Sequence, residues 1–271
     1  MLIGQQTLMK EINRILPQYP RFSIICGPKG SGKRTVVKEI CNLLQMPMHI
    51  FGTSVDEVRK AIDLARQRPE KICYVFADAD GMSITAKNAL LKVTEEPPEN
   101  AYFILTLLDK GNTLPTILSR GTVFNLDNYS VEELYSYKKY KQYNDTFDDI
   151  IKIVCSTTGE VDDLFSCDIP AFYNFAKTIA EKIHIPTSGN IFKISKQIKS
   201  KDGDNGFNGV LLFKAVRNLF LQMAIQTKKE QYLNASNDTT KCIRDLMLPT
   251  INKIGTVDMW IMDVRKSLRG I

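Results

Sequence analysis

The sequence is poor in the residues that build metal centres and disulfide frameworks. Its 271 residues include six cysteines and two histidines, and no two cysteines stand at CxxC spacing. Most of the cysteines lie among apolar neighbours, where a thiol acts as a small hydrophobic side chain. We therefore expect no zinc site and no other metal site.

Long apolar runs are missing as well. No stretch approaches the roughly 20 apolar residues of a membrane-spanning helix. The opening segment MLIGQQTLMKEINRIL also lacks the basic start and uninterrupted apolar core of a secretory signal. A composition of 44% hydrophobic and 24% charged residues is ordinary for a globular protein. We predict a cytoplasmic protein without a membrane partner, whose net charge of +6 permits contact with a polyanion.

Short apolar runs alternate with amphipathic segments as far as Asn125. The predicted strands are FSIIC, MHIF, ICYVF and YFILTLL, each followed or preceded by a segment of helical periodicity. Strands that alternate with helices form a mainly parallel sheet covered on both faces. Beyond Asn125 the strand signals fade, so we expect helices there, with a break in the helical run at Gly159.

A glycine-rich segment follows the first predicted strand. Gly27, Gly30, Gly32 and Lys33 fit the GxxxxGK pattern of a phosphate-binding loop between a strand and a helix. The glycines let the backbone aim successive N–H groups at phosphate oxygens, and the lysine adds a positive charge. The full predicted nucleotide-binding segment is Gly27, Pro28, Gly30, Ser31, Gly32, Lys33, Arg34 and Thr35.

The residue after the loop lysine is unsuited to magnesium. A phosphate-binding loop that cleaves nucleotide has Ser or Thr at this position, and this chain has Arg34, a cation that repels a metal ion. Thr35 points about 100° away around the helix and is not an obvious substitute. We expect a degenerate site without intrinsic ATPase activity, and the sequence leaves open whether it holds ATP or ADP at all.

The downstream segment FADADGMSITAKNALLKVTEEPPENAYFILTLLDKGNTLPTILSRG contains an acidic box, NALLK, EEPP, a strand and an SRG tripeptide in that order. Together with IGQQ near the start and VDEVRKAI in the middle, it resembles the bacterial and phage clamp-loader AAA+ family, most of all the delta-prime subunits of DNA polymerase III. The resemblance implies a P-loop-type sheet domain at 1–127, a helical lid at 128–168 and an all-α collar domain at 169–271.

The resemblance assigns roles to individual residues. In the acidic box, Ala77 replaces the metal-binding Asp and Asp78 replaces the water-activating Glu. Thr106 falls at the first sensor position, and Asp162 replaces the sensor arginine of the lid. Arg120, by contrast, keeps the place of the finger that reaches a neighbouring subunit's γ-phosphate. Taken without the family, Asp78 is a polar strand end with a helix-capping role, and Thr106 is an ordinary strand residue.

The implied function is that of a subunit in a hetero-oligomeric clamp loader, acting with a sliding clamp and primer-template DNA in replication. Four basic residues on predicted helices are candidates for DNA contact, with a solvated helix face as the alternative: Arg59, Lys60, Lys87 and Lys92. Two other functions stay open. One is an active ATPase of the same fold that recruits Asp78 or Asp80 for metal, and the other is a stand-alone DNA-binding regulator on this scaffold.

Overall fold

The computed structural model describes residues 3–183, 208–247 and 252–269. The chain divides into two compact units. The first contains Met1–Glu133 with Thr157–Gly159, and the second contains Leu134–Ser156 and Glu160–Ile271. No helix in the described ranges is long and apolar enough to cross a membrane.

A parallel sheet forms the centre of the first unit. Its strands are β1 (Phe22–Cys26), β2 (Met48–Phe51), β3 (Ile72–Phe76), β4 (Ala101–Leu107) and β5 (Thr122–Asn125). They lie in the order β2-β3-β4-β1-β5, and every pairing is parallel. The four predicted strands are all present, and β5 is an addition at the edge.

Helices cover both faces of this sheet, as predicted. They are α1 (Gln6–Ile15), α2 (Lys33–Leu43), α3 (Val55–Gln67), α4 (Ile84–Glu95) and the short α5 (Pro115–Leu118). Because strand side chains alternate between faces, β3 directs Cys73 and Val75 into the core with α1 and α2. Its Tyr74 and Phe76 enter the core with α3, α4 and α5. The α/β class is confirmed.

Side-chain caps fix the start of the two helices on the second face. The Ser54 hydroxyl accepts the Glu57 N–H at 3.3 Å, and the Ser83 hydroxyl accepts the Ala86 N–H at 3.2 Å. Such caps satisfy N–H groups that have no partner within the helix. Helix α4 then ends at Glu95, just before the Pro97–Pro98 pair that cannot continue it.

The described part of the second unit is helical. Two helices begin in residues of the first unit and continue in the second, namely α6 (Val131–Tyr140) and α8 (Thr158–Phe165). The others lie within the second unit: α7 (Asp148–Val154), α9 (Ile169–Lys182), α10 (Gly209–Thr227), α11 (Glu230–Met247) and α12 (Lys253–Arg269). Phe213 and Trp260 meet edge to face in its core, with ring centroids 4.5 Å apart. The Trp260 indole N–H donates to the Thr239 hydroxyl at 3.0 Å.

The helix break predicted at Gly159 is wrong. The interruption lies at Cys155–Thr157, and Gly159 is the second residue of α8. At this break the Glu160 carboxylate accepts hydrogen bonds from both the backbone N–H and the hydroxyl of Ser156, at 2.7 and 2.9 Å. The Glu160 carboxylate thus satisfies the Ser156 N–H just ahead of α8, and this stabilises a helix start at Thr158, before Gly159.

Candidate functional site

The glycine-rich loop joins the end of β1 to the start of α2. Gly30 and Gly32 have φ angles of +78° and +86°, in the left-handed region that favours glycine. The Ser31 side chain is fully buried within this loop. The predicted phosphate-binding loop therefore has the backbone that its sequence pattern requires.

Lys33 is folded into the loop. Its ammonium group donates to the carbonyl oxygens of Gly27 at 2.7 Å and Pro28 at 3.0 Å, and the residue is 7% exposed. Burial lowers the pKa of Lys33, while the nearby carboxylates of Asp78 and Asp80 act in the opposite direction. The positive charge thus lies among backbone groups of the loop, at the N-terminal end of α2.

Arg34, the residue after the loop lysine, forms an ion pair with Asp78 of the acidic box. Arg34 Nη2 lies 3.2 Å from Asp78 Oδ2, and the side chains are 67% and 63% exposed. Ala77, beside Asp78, has no carboxylate to offer. Because one ligand position carries a guanidinium and the other a methyl group, these residues do not fit a magnesium ion. Thr35 is exposed on the next position of α2.

The remaining residues of the acidic loop have structural contacts. Asp80 accepts the N–H groups of Leu108 at 2.7 Å and Asp109 at 3.3 Å. Thr106 is fully buried, and its hydroxyl oxygen accepts the Asp78 N–H at 2.9 Å. Asp78 itself has a φ of +54°, a strained value for a residue with a side chain. Thr106 thereby helps hold the turn that presents Asp78 to Arg34.

Residues 157–159, far along the chain, donate hydrogen bonds to carbonyl groups of the glycine-rich loop. The sequence did not predict these contacts. The Thr158 hydroxyl and the Gly159 N–H donate to the Gly30 carbonyl at 3.1 and 3.0 Å. The Thr157 hydroxyl donates to the Lys29 carbonyl at 3.3 Å. A Cβ on Gly159 would lie 2.5 Å from Gly30 Cα. The TTG tripeptide at 157–159, three small residues within the predicted lid segment, is the signal that could have indicated this contact.

Asp162 has partners of its own within the second unit. Its carboxylate accepts the hydroxyl groups of Tyr137 at 2.8 Å and Tyr143 at 2.9 Å. The Lys141 ammonium lies 3.7 Å away. These contacts give Asp162 a structural role in joining α8 to α6 and to the turn that follows α6.

Arg120 follows α5 and is held by the end of α4. Its Nε and Nη2 lie 3.0 and 2.5 Å from Glu95 Oε1, and its Nη1 donates to the Thr116 carbonyl at 2.7 Å. The arginine side chain is 32% exposed. A Cβ on Gly121 would lie 2.9 Å from side-chain atoms of Ile24 and Phe22, so a larger residue at this position would require them to shift.

The four basic residues predicted to contact DNA do not share one surface. Arg59 and Lys92 line an open cleft of about 350 Å³ between α3 and α4. Lys60 lies 3.9 Å from Glu57 on α3, and Lys87 is buried, with 8% of its surface exposed. Within the described ranges, no three His, Cys, Asp or Glu side chains are grouped so as to hold a metal ion.

Sequence comparison connects this chain with subunits of a replicative polymerase. The family model described as "DNA polymerase III, delta subunit" matches residues 35–130. The DNA polymerase III gamma subunit of Buchnera aphidicola (subsp. Schizaphis graminum) is 25% identical over 243 residues, which cover 74% of this chain and 67% of that protein.

Shorter matches have higher identity. The delta-prime subunit of Haemophilus influenzae is 37% identical over 99 residues, covering 35% of this chain and 30% of that protein. The tau subunit of Bacillus subtilis is 29% identical over 158 residues, covering 46% of this chain and 28% of that protein. The match therefore spans less than a third of the length of these two relatives.

Two solved structures show the same fold. A gamma subunit-related protein of Thermotoga maritima superposes with a TM-score of 0.56 at 16% identity, covering 97% of this chain and all of that chain. The RuvB Holliday junction branch migration motor of the same organism gives a TM-score of 0.50 at 15% identity, covering 83% and 77%. The solved structures show the fold alone, and the sequence relatives, with the family model matched over residues 35–130, support a member of the clamp-loader AAA+ family that includes the gamma, tau and delta-prime subunits of DNA polymerase III.

Proposed function

We propose that this protein is a delta-prime-like clamp-loader subunit that does not hydrolyse ATP itself. In this proposal it contributes Arg120 as an arginine finger to the ATP site of a neighbouring subunit while a sliding clamp is loaded during DNA replication. The observation that carries the proposal is the ion pair between Arg34 and Asp78, two residues that the resemblance aligns with the loop hydroxyl and the acidic-box glutamate of a hydrolytic site.

The loss of hydrolysis follows from the charges at this position. Phosphoryl transfer in a P-loop enzyme uses a metal ion, held by a loop hydroxyl and an acidic-box carboxylate, to neutralise charge that develops on the phosphates. Here Arg34 replaces the hydroxyl and Ala77 replaces the carboxylate. Asp78, one methylene shorter than the family's Glu, is already paired with Arg34 at 3.2 Å. In this proposal, these described positions therefore provide no ligand for the metal and no free base to activate a water.

The proposed action of Arg120 on a neighbouring subunit's ATP rests on the orientation and exposure of its guanidinium. A guanidinium recognises phosphate through a planar set of N–H donors, and a finger of this kind can accelerate phosphoryl transfer by about 10³-fold or more. Glu95 and the Thr116 carbonyl hold the guanidinium through three of its nitrogens, and about a third of the side chain remains exposed. The arginine is thus oriented by its own chain and still open to an incoming anion.

The wider assignment follows from the family. We propose partners of three kinds, namely other clamp-loader subunits, the sliding clamp and primer-template DNA, with the complex acting in the cytoplasm. The division into a sheet domain at 1–127, a lid at 128–168 and a collar at 169–271 is part of the same proposal. The Arg59 and Lys92 cleft is the candidate contact for phosphate backbone, because its lining has three cations, the third being Arg66, against one acid, Asp63.

Steady-state ATP turnover by the purified chain tests the first part of this proposal. We expect the wild-type chain and its Lys33→Ala variant to give the same background rate with magnesium present, since the variant removes the loop charge and so reports contaminating ATPases. Magnesium-dependent turnover that Lys33→Ala abolishes would establish the chain as an active ATPase instead. Tight, salt-sensitive DNA binding by the isolated chain would favour a stand-alone regulator.

A further inference from the structure

We infer that the loop from Gly27 to Arg34 binds metal-free polyphosphate, with the Arg34 guanidinium taking the place that magnesium has in a hydrolytic loop. The ligand class is a free diphosphate group, either pyrophosphate or the diphosphate of ADP. The inference deepens the proposed function, because it concerns the same degenerate loop and assumes that no hydrolysis occurs there.

The first observation in support is that several hydrogen-bond donors lie together at the start of α2. The N–H groups in the first turn of α2 have no acceptor within the helix, and the helix dipole favours an anion at that end. Lys33 Nζ lies within the loop on the carbonyl oxygens of Gly27 and Pro28, and Arg34 follows on the first turn of the helix. One cation and a helix N-terminus therefore lie at the loop, and a second cation, Arg34, is carried by the first turn of the same helix.

The second support is an unsatisfied hydroxyl inside the loop. Ser31 is fully buried, and its Oγ has no hydrogen-bond partner. It lies close to Gly27, since a Cβ built on that glycine would be 2.9 Å from Ser31 Oγ. A buried hydroxyl without a partner costs about 1–3 kcal/mol. A phosphate oxygen in the loop would provide the acceptor that the folded chain does not.

The third support is the shape of the loop, which the chain maintains from outside. The carbonyl groups of Lys29, Gly30 and Ser31 accept hydrogen bonds from Thr157, from Thr158 and Gly159, and from Tyr129, respectively. With its carbonyls bonded outward, the loop keeps its curvature without any help from a ligand. A preformed site loses less conformational entropy on binding, so even a small anion can be held.

The Arg34–Asp78 ion pair should favour metal-free polyphosphate over a magnesium–polyphosphate complex. Pairing with Arg34 offsets a carboxylate charge that would otherwise repel phosphate. Only one guanidinium nitrogen contacts Asp78, so other N–H donors of Arg34 can reach an anion. A magnesium–polyphosphate complex would instead bring a dication against this guanidinium. Magnesium should therefore weaken binding.

Calorimetric titration of the full chain with pyrophosphate, and separately with ADP, tests this inference. Each titration is run at one ionic strength, first with EDTA and then with excess magnesium. We expect binding in EDTA to be tighter than in magnesium by about tenfold. Wild-type binding that is tighter in magnesium would overturn the inference, and so would a lack of measurable binding in both buffers.

Two variants and a control identify the responsible residues. Arg34→Thr should lose about tenfold in metal-free affinity, whereas Asp78→Asn should keep or increase it, because one negative charge is removed. Arg14→Thr makes the same charge change at an exposed position on α1 and should bind like the wild type. Metal-free affinity unchanged in Arg34→Thr would refute the role of the guanidinium.

The result separates this inference from the proposed function. A chain that binds no polyphosphate contradicts the inference and leaves the finger role of Arg120 standing, because that role needs no ligand in this loop. Magnesium-tightened binding accompanied by turnover contradicts both.

Discussion

At the scale of single residues, the ion pair between Glu95 and Arg120 joins the end of one helix to the end of another. Glu95 is the last residue of α4, and its Oε1 accepts from two nitrogens of Arg120. An exposed ion pair contributes little to stability, about 0–1 kcal/mol. Its larger effect is on the direction of the guanidinium, which is what a neighbouring phosphate would encounter.

We predict that Glu95→Gln lowers ATP turnover in the assembled clamp loader by about three- to tenfold, because the arginine loses its orientation. The same substitution in an Arg120→Ala background should have no further effect. Turnover of the four proteins in this double-mutant cycle checks the prediction. An equal effect of Glu95→Gln in both backgrounds would show that Glu95 acts independently of the arginine.

Asp162 provides a second prediction at this scale. An arginine in its place would restore the family's sensor motif, but the present carboxylate accepts two tyrosine hydroxyls. We therefore expect Asp162→Arg to lower the free energy of unfolding by about 1–2 kcal/mol and to confer no ATP hydrolysis. Urea denaturation and a turnover assay measure the two effects. Asp162→Asn, which keeps an acceptor oxygen, should lose less stability, and an equal loss would contradict the hydrogen-bond explanation.

Motif spacing located the candidate site residues, but it did not predict which side chains they contact. Arg34, Ala77 and Arg120 could be located from motif spacing, since a P-loop and an SRG tripeptide are read position by position. The pairing of Arg34 with Asp78, and of Arg120 with Glu95, joins residues 44 and 25 positions apart. Such contacts depend on how strands and helices pack, and no local pattern encodes them.

At the scale of elements, the start of α8 packs on the phosphate-binding loop through two glycines. A Cβ on Gly159 would meet Gly30 Cα at 2.5 Å, a distance at which the backbone must move. We predict that Gly159→Ala lowers the free energy of unfolding by about 1–3 kcal/mol, as overpacking does.

The matched control is Gly255, which also lies in the first turn of a helix. A Cβ there would lie 3.7 Å from Asn252, an ordinary contact. Gly255→Ala should be neutral or stabilising by up to about 1 kcal/mol, because alanine favours helix. Denaturant unfolding compares the two variants, and a Gly159→Ala protein as stable as the wild type would show that the close approach is not needed.

The elements that sequence patterns predicted are those with a strong apolar signal. Strands β1 and β3 are buried along their whole length, so their apolar runs were recognisable. Strand β5 was missed because Phe124 is the one fully buried residue among its four. The first half of α11, EQYLNASNDTT, has only a weak helical signal because polar residues dominate it, and its contacts within the second unit override that weak signal.

At the scale of the whole molecule, the site residues separate into two groups. Those needed for hydrolysis in cis are replaced or paired, as with Arg34, Ala77 and Asp78. Arg120, which we propose acts in trans, is present and partly exposed. The proposed function therefore requires an assembly in which a neighbouring subunit supplies the nucleotide and metal, and the role of Arg120 has to be tested in that complex.

The most direct test is ATP turnover by the clamp loader of the source organism, reconstituted with wild-type protein or with Arg120→Ala. We predict that the variant lowers stimulated turnover by about tenfold or more, while gel filtration shows an unchanged assembly. Arg14→Ala, at an exposed arginine on α1, should retain the wild-type rate. Wild-type turnover by a fully assembled Arg120→Ala complex would contradict the account.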